Sequence, residues 1–249
     1  MVFLGKAGNS NKVPVLPTAT GFLVNIDGVF HLVTAKHVIY NSDTDKIQDD
    51  NFVMFFNGKD GEIQARKLSD VKNRFKCDWI FHKDRSVDVA IIPSGYMPEI
   101  DDVSFISKTI FQGADQLHET FEIFFLSYEP GIKIGKRVRP IFRTGIISSM
   151  NEDKTFYIDA PAFPGNSGSP VFLSPSLLFD KSLTTIGGGK FIGIVGEYLS
   201  YQDIAYSRQT GLPRVVFQEN KDLSRVWSVS YLNEIIEYTE FQDQVSKIP

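Results

Sequence analysis

The chain has 249 residues, and its 26 Lys and Arg against 30 Asp and Glu give a formal charge of −4 at neutral pH. This mild acidity argues against a nucleic-acid partner, which usually requires a basic face, and no apolar run approaches the roughly 20 residues of a membrane span. The single cysteine, Cys77, excludes an intrachain disulfide framework and any zinc site built from several cysteines.

Short runs rich in Val, Ile and Phe follow one another along the chain and are broken by Gly, Asn, Asp and Pro. This pattern predicts many short strands and an all-β sandwich or barrel. Asp27-Gly28 between the first two runs predicts a tight hairpin. In chain order, the predicted strands are Gly21–Ile26, Val29–Thr34, Asn51–Asn57, Glu62–Leu68, Val87–Pro93, Thr120–Ser127, Arg139–Ser148, Thr155–Asp159, Ser169–Leu173 and Phe191–Glu197.

The segment Ser230–Gln242 departs from this alternating pattern. Leu232, Ile235, Ile236 and Phe241 recur there at nearly helical spacing. We therefore expect one amphipathic helix near the C-terminus, packed on the β structure.

The compartment is inferred from two sequence features. The first ten residues lack the apolar stretch of about 7–15 residues found in a secretory signal. A single cysteine is typical of proteins that stay in a reducing compartment. We therefore expect a cytoplasmic protein.

Three short segments carry residues suited to nucleophilic catalysis. They read TAKHV at 34–38, SVDVAII at 86–92 and FPGNSGSP at 163–170. A serine hydroxyl such as that of Ser167 is a weak nucleophile and needs an adjacent base. His37 suits that role, because its pKa lies near working pH. The imidazole in turn needs a carboxylate, such as that of Asp88, to fix its tautomer and stabilise the imidazolium.

Glycines beside Ser167 predict a sharp turn with exposed backbone amides. The N–H groups of Gly165 and Ser167 could then form an oxyanion hole for the developing charge on a carbonyl oxygen. The chain order His37, Asp88, Ser167 is that of the chymotrypsin arrangement and differs from the orders in subtilisin-like enzymes and α/β-hydrolases.

On these residues the sequence resembles the trypsin-like (chymotrypsin-fold) serine peptidases. TAKHV is similar to the T-A-x-H segment of the family, SVDVAII to its acid-bearing strand, and GNSGSP to its G-D-S-G-G-P nucleophile loop. The resemblance implies two six-stranded antiparallel β-barrels with a C-terminal α-helix. His37 and Asp88 would lie in an N-terminal barrel (residues 1–112), and Ser167 in a C-terminal barrel (residues 113–249).

Where the sequence departs from the family pattern, it indicates which branch of the family it resembles. Asn166 replaces an acid that pairs with a newly cut N-terminal amine in trypsin-type members, so we expect no trypsin-style zymogen activation. GNSG is similar to the HtrA-like peptidases, although we expect no PDZ domain in this protein, and GNSGSPVF is similar to the bacterial glutamyl endopeptidases. The latter use a histidine near 193–196, where this chain reads GIVG, so glutamate specificity is not implied.

The resemblance also implies a specificity pocket. Pro161 occupies the place where a trypsin-like enzyme has its basic-selecting acid, which disfavours a preference for Arg or Lys. Glu197 lies close by in sequence, so the preference stays open. The expected lining residues are Pro161, Ala162, Phe163, Gly196, Glu197 and Tyr198.

The leading hypothesis is a serine endopeptidase that cleaves proteins or peptides through an acyl-enzyme, with no cofactor and no metal. One alternative is a catalytically idle protease fold that binds proteins or peptides. Another is a protease held latent until an activating protein partner orders its loops. The remaining histidines, His31, His82 and His118, are expected to be structural or surface groups.

Overall fold

The computed structural model describes residues 1–6, 18–48, 52–97, 99–129, 137, 139–175 and 189–246. The strands are β1 (Val2–Lys6), β2 (Ala19–Ile26), β3 (Val29–Thr34), β4 (Tyr40–Asn41), β5 (Lys46–Ile47), β6 (Phe52–Gly58), β7 (Ile63–Lys67), β8 (Ile80–Phe81), β9 (Ala90–Pro93), β10 (Asp101–Asp102), β11 (Phe105–Ser107), β12 (Glu122–Ser127), β13 (Ile141–Met150), β14 (Thr155–Asp159), β15 (Pro170–Leu173), β16 (Phe191–Tyr206) and β17 (Pro213–Ser228). The α-helices are α1 (Lys36–Ile39), α2 (Leu68–Phe75), α3 (Val229–Ile236) and α4 (Thr239–Val245), and 3₁₀ turns span Lys108–Ile110 and Ala114–Gln116.

The N-terminal half is a nine-stranded sheet. Its main path runs β10-β6-β1-β2-β3-β9-β8, with β7 paired to β6 and β11 paired in parallel to β2. The β2–β3 hairpin turns at Asp27 and Gly28, whose φ angles of 49° and 89° both lie in the left-handed region. Two positive φ angles at a two-residue turn match the twist of the strands, which confirms the hairpin predicted from Asp-Gly.

The C-terminal half is a closed barrel of six strands, in the order β12-β13-β14-β17-β16-β15. All of its pairings are antiparallel. The all-β class and this second barrel confirm the prediction. The first half differs from the expected six-stranded antiparallel barrel in two ways. Its described strand pairs do not close into a ring, and β11 pairs with β2 in parallel, because the chain comes back alongside β2 in the same direction. The proposed division after residue 112 lies between β11 and β12 and stays a prediction.

A shared apolar core joins the two halves. Phe22 and Val33 of the N-terminal sheet belong to one buried cluster with Phe191 and Trp227 of the barrel. Leu232 of α3 belongs to the same cluster. The strands that lead to the predicted catalytic residues are therefore held against each other by buried apolar side chains.

The C-terminal helix is broken, which corrects the expectation of one helix over Ser230–Gln242. The last turn of α3 tightens, because the amide of Tyr238 donates to the carbonyl of Ile235. The side-chain amide of Gln242 donates to the carbonyl of Ile236 at 2.8 Å, which satisfies a carbonyl group at the helix end. These local hydrogen bonds stabilise a turn between α3 and α4. None of the helices in the described ranges is long and apolar enough to cross a membrane.

β16 and β17 each run for 16 residues, far beyond the barrel. We call residues 199–221 the arm. It is a two-stranded ribbon whose pairs run from Ser200 with Asn220 to Tyr206 with Pro213. The alternating pattern of the sequence predicts only the first seven residues of β16 as strand and does not predict β17.

Candidate active site

His37 and Asp88 meet at the edge of the N-terminal sheet. His37 lies in the short helix α1 directly after β3, and Asp88 lies two residues before β9, which pairs with β3. His37 Nδ1 is 2.7 Å from Asp88 Oδ2, and the backbone N–H of His37 donates to Asp88 Oδ1 at 2.7 Å. One carboxylate thus holds both the ring and the main chain of the histidine.

The surroundings of His37 set its protonation. Partial burial lowers the pKa of the imidazole, but the hydrogen bond to Asp88 and the charges of Asp88 and Glu197 together raise it by more than burial lowers it. The net result is a pKa above the ordinary value of a histidine. With Nδ1 directed at Asp88, Nε2 is the ring nitrogen left for a second partner.

Ser167 lies on the tight loop between β14 and β15. Gly165 and Gly168 have φ angles of +101° and +84°, which favour glycine. A side chain at Gly168 would come within 2.2 Å of the carbonyl oxygen of Thr20 and 2.3 Å of the hydroxyl of Thr34. The loop therefore packs directly on the strand that leads to His37.

Thr20 fastens this loop to the N-terminal sheet. Its hydroxyl donates to the carbonyl of Gly165 at 2.8 Å and accepts from the backbone N–H of Tyr128 at 2.9 Å. Its own N–H donates to the carbonyl of Ser167 at 3.0 Å. The carbonyl of Thr20 accepts from the hydroxyl of Thr34, three residues before His37. The sequence does not single out Thr20, because only its tertiary contacts distinguish it from any other threonine in a strand.

Asn166 braces the loop from within. It is fully buried. Its Oδ1 accepts from the backbone N–H of Phe163 at 2.8 Å, and its Nδ2 donates to the carbonyl of Tyr128 at 3.3 Å. These are neutral hydrogen bonds within the chain, made at the position where trypsin-type members would need an ion pair.

The loop presents free hydrogen-bond donors. Within the described residues, neither the N–H of Gly165 nor that of Ser167 donates a hydrogen bond. The hydroxyl of Ser167 likewise has no hydrogen-bond partner among the residues that the structure describes, His37 included. Catalytic hydrogen bonds are often long before substrate binds.

The expected pocket residues lie on two segments beside this loop. Ala162 is buried, whereas Phe163 is exposed and has the Arg143 guanidinium over its ring. Gly196 is buried, and a side chain there would come within 2.6 Å of the Trp227 indole nitrogen and 3.4 Å of Asp88 Oδ2. Position 196 therefore needs glycine to let β16 pass close to the Trp227 indole.

The remaining three expected pocket residues are less enclosed. Pro161 is partly buried, while Glu197 and Tyr198 are exposed. The carboxylate of Glu197 lies 3.8 Å from the Arg225 guanidinium. All six expected residues thus lie on two segments close to the nucleophile loop, since Phe163 begins that loop and Val195, next to Gly196, is hydrogen-bonded to Gly168 and Ser169.

A separate cavity of about 260 Å³ adjoins His37 and Asp88. Its lining residues include Lys36, Arg85, Tyr40 and Asp45, so two cations lie there with an aromatic ring and a carboxylate. The sequence does not predict this cavity, because Arg85 meets Lys36 only in the folded chain, where Lys36 Nζ donates to the carbonyl of Arg85 at 2.7 Å.

The other histidines lie away from this chemistry. His31 is fully buried beside Phe241, and burial lowers its pKa to about 4. His82 Nε2 is 2.8 Å from a carboxylate oxygen of Glu234, while His118 is exposed. No group of three or more His, Cys, Asp or Glu side chains suited to a metal ion occurs within the described ranges.

Comparison with known proteins gives a family and a fold. The family model described as the trypsin-like peptidase domain matches residues 19–176. Among solved structures, the chain is similar to a serine endoprotease from Yersinia pestis, with 15% sequence identity and a TM-score of 0.51. The similarity covers 97% of this chain and 62% of that one, so the chain spans less than two thirds of that relative. No curated protein matches.

Proposed function

We propose that this chain, which belongs to the trypsin-like peptidase family and has the chymotrypsin-like fold, is a serine endopeptidase that acts through His37, Asp88 and Ser167. Ser167 Oγ attacks the carbonyl carbon of a peptide bond while His37 Nε2 removes the hydroxyl proton. His37 then gives that proton to the leaving amine. Water, deprotonated by the same nitrogen, hydrolyses the acyl-enzyme and releases Ser167.

The two hydrogen bonds between His37 and Asp88 are the main support for this proposal. The two 2.7 Å contacts leave the ring little freedom and place the proton of the neutral imidazole on Nδ1. Nε2 is then the basic nitrogen. The raised pKa of His37 supports this role, because the hydrogen bond to Asp88 and the charge of its carboxylate favour the protonated imidazole that would arise during attack.

The oxyanion hole in this proposal consists of the N–H groups of Gly165 and Ser167. Both lack a partner within the described chain, so they are available to a substrate oxygen. Thr20 and Asn166 hold the loop from both sides and make its geometry independent of a new N-terminus. Removing one such donor costs about 3–4 kcal/mol of transition-state stabilisation in a well-studied protease.

The substrate in this proposal is a protein or peptide whose residue before the cleaved bond lies between 161–163 and 196–198. Pro161, Ala162 and Phe163 offer no charge, and Glu197 is partly compensated by Arg225. These contacts favour an uncharged side chain at that position.

Latency is the second part of the proposal. The hydroxyl of Ser167 has no hydrogen bond to His37 within the described residues, so alignment of the nucleophile is left to the substrate or to a partner. An activating protein that shifts the loop would complete the pair. The idle binding module predicted as an alternative shares this geometry and differs only in turnover.

A fluorophosphonate probe tests the proposal, because it forms a covalent adduct with an activated serine. Purified protein is incubated with the probe and its intact mass measured, with Ser167→Ala as the control. We expect one adduct that is absent from the control. If no adduct forms, the labelling is repeated in cell extract: labelling there identifies a latent enzyme, and continued absence contradicts the peptidase assignment.

A further inference from the structure

The arm exposes an unusual share of the large apolar side chains. Seven large apolar residues of the arm are 39–63% exposed. They are Tyr201, Ile204, Tyr206, Leu212, Val215, Val216 and Phe217. The arm also lies beyond residue 176, where the match to the family model ends. Many exposed apolar side chains on one element are typical of an interaction site.

Both faces of the ribbon carry apolar side chains. Ile204 lies opposite Val216 on one face, and Phe217 lies opposite Asp203 on the other, next to the pair of Ala205 and Val215. The paired part of the arm is roughly 20 Å long at 3.4 Å per residue. A strand whose side chains alternate between two apolar faces is suited to pairing with another strand at its edge.

The open edge of β16 begins at the nucleophile loop. The amide of Gly168 donates to the carbonyl of Val195 at 2.8 Å, and the amide of Val195 donates to the carbonyl of Ser169 at 2.9 Å. From Gly196 outward, β16 pairs only with β17 among the described residues. A chain that lies over Ser167 can therefore continue along this edge.

The base of the arm is fixed to the wall of the cleft. The side-chain amide of Asn220 donates to the carbonyl of Ala162 at 2.7 Å. Asn220 pairs with Ser200 across the ribbon. The arm is thus joined on one strand to Gly196–Tyr198 and on the other to Ala162, both of which belong to the expected substrate pocket.

The charged residues near the tip of the arm indicate what kind of segment it would bind. Positions 204–217 contain Arg208 and Arg214 and no acid, although the whole chain carries a formal charge of −4. A partner segment with carboxylates complements this cationic end. The turn at 207–211 reads SRQTG and is polar, which disfavours insertion of the arm into a lipid bilayer.

We propose that the arm is an exosite that holds an extended, apolar and acid-bearing segment of a protein substrate, paired as an added strand along the open edge of β16. This inference rests on the proposed peptidase function and names its substrate class. Main-chain hydrogen bonds supply the pairing, and alternate side chains of the segment contact the two apolar faces. The acidic side chains lie near Arg208 and Arg214.

Binding is measured first, so that the test does not depend on turnover. Fluorescein-labelled β-casein, an unfolded protein rich in apolar and acidic residues, is titrated with the Ser167→Ala protein and followed by anisotropy. The test variant adds Ile204→Ser and Val216→Ser, and the matched control adds Ile100→Ser, another exposed isoleucine outside the arm. We expect the Kd to rise at least about tenfold in the test variant and to stay within twofold in the control.

Charge reversal and turnover sharpen the result. Arg208→Glu with Arg214→Glu should weaken casein binding several-fold and reduce its dependence on salt. In the active protein, the ratio of kcat/KM for casein to that for a short peptide ester should fall about tenfold with Ile204→Ser and Val216→Ser.

Three results overturn the proposal. They are unchanged casein affinity in the arm variants, arm-dependent binding to phosphatidylserine vesicles without an effect on casein, and arm-dependent dimerisation in sedimentation velocity. The peptidase proposal is tested separately, by fluorophosphonate labelling of Ser167. If Ser167 is never labelled but the arm variants still bind casein more weakly, the arm is a binding site in a protein without turnover.

Discussion

The nucleophile loop and the arm are both built on the C-terminal barrel, but they are held in opposite ways. The loop is fixed by buried hydrogen bonds to Thr20 and by those of the Asn166 side chain to Phe163 and Tyr128. The arm contacts mainly itself and exposes its apolar side chains. Side chains in the loop are thus constrained by several neighbours at once. In the arm, no such packing accounts for the exposed apolar side chains, which is why we propose that the arm binds a substrate segment.

Replacing Asp88 should produce the largest effect, because it acts on the constrained region. In Asp88→Asn we expect fluorophosphonate labelling to slow about 10⁴-fold, since the amide favours the wrong tautomer of His37. His37 acts as a base only when neutral, so labelling of the native protein rises with pH through a pKa above 6.5. Loss of the charge should move the imidazole titration, followed by NMR, to lower pH.

Asp84→Asn is the matched control for that change. Asp84 is exposed and its carboxylate accepts from the N–H and hydroxyl of Ser86. Labelling should stay within a few-fold of the native rate. An Asp88→Asn protein that retains a tenth of the native rate would contradict the assigned role of the carboxylate.

Replacing Thr20 tests whether loop geometry depends on the other half of the molecule. Thr20→Val leaves the Gly165 carbonyl and the Tyr128 amide without their buried partner, at a cost of about 1–3 kcal/mol. We expect the labelling rate to fall about 10–100-fold, and Thr20→Ser to restore most of it.

Thr18→Val serves as the comparison for Thr20. Its hydroxyl donates to the carbonyl of Leu4 in the same sheet, away from the loop. A purely structural role for Thr20 would lower the melting temperature in both valine variants and leave the labelling rate of the folded protein alike in both.

Shortening the arm should have the smallest effect on stability. Replacing 201–219 with an Asn-Gly turn keeps Ser200 and Asn220, and so keeps the bond to Ala162. Because the deleted side chains are largely exposed, we expect the free energy of unfolding in urea to change by less than about 1 kcal/mol. A loss of several kcal/mol would show that the arm is packed in solution, and would remove the contrast with the loop.

Local sequence predicted the elements whose partners are close in the chain. Val29–Thr34 and Thr155–Asp159 have the predicted bounds, and the Asp27-Gly28 turn has the predicted conformation. Such elements depend on alternation and turn chemistry, which a short window contains.

Elements that are largely exposed, or that depend on side-chain hydrogen bonds, were not predicted. β17 carries charged residues such as Glu219 and Lys221 among its apolar ones, because its outer half is exposed on a ribbon rather than packed in the barrel. The break between α3 and α4 depends on the contact of Gln242 with Ile236, which spacing of apolar residues does not reveal.

The residues of the candidate site likewise divide into those with a local sequence signal and those without one. Chain order and local motifs selected His37 and Asp88, which the structure places in contact, and their catalytic roles stay predictions. The same holds for Ser167. Thr20 lies 145 positions from Gly165 in the chain, so no local pattern could link the two.

That separation has a consequence for how the protein is made. Non-local contacts form late in folding, because a long loop must close before they are made. His37, Asp88 and Thr20 leave the ribosome well before Ser167, and the brace on Gly165 requires both halves to have docked. We therefore expect a nascent chain to carry no competent nucleophile until the C-terminal barrel has closed, so that synthesis itself would delay the proposed peptidase activity.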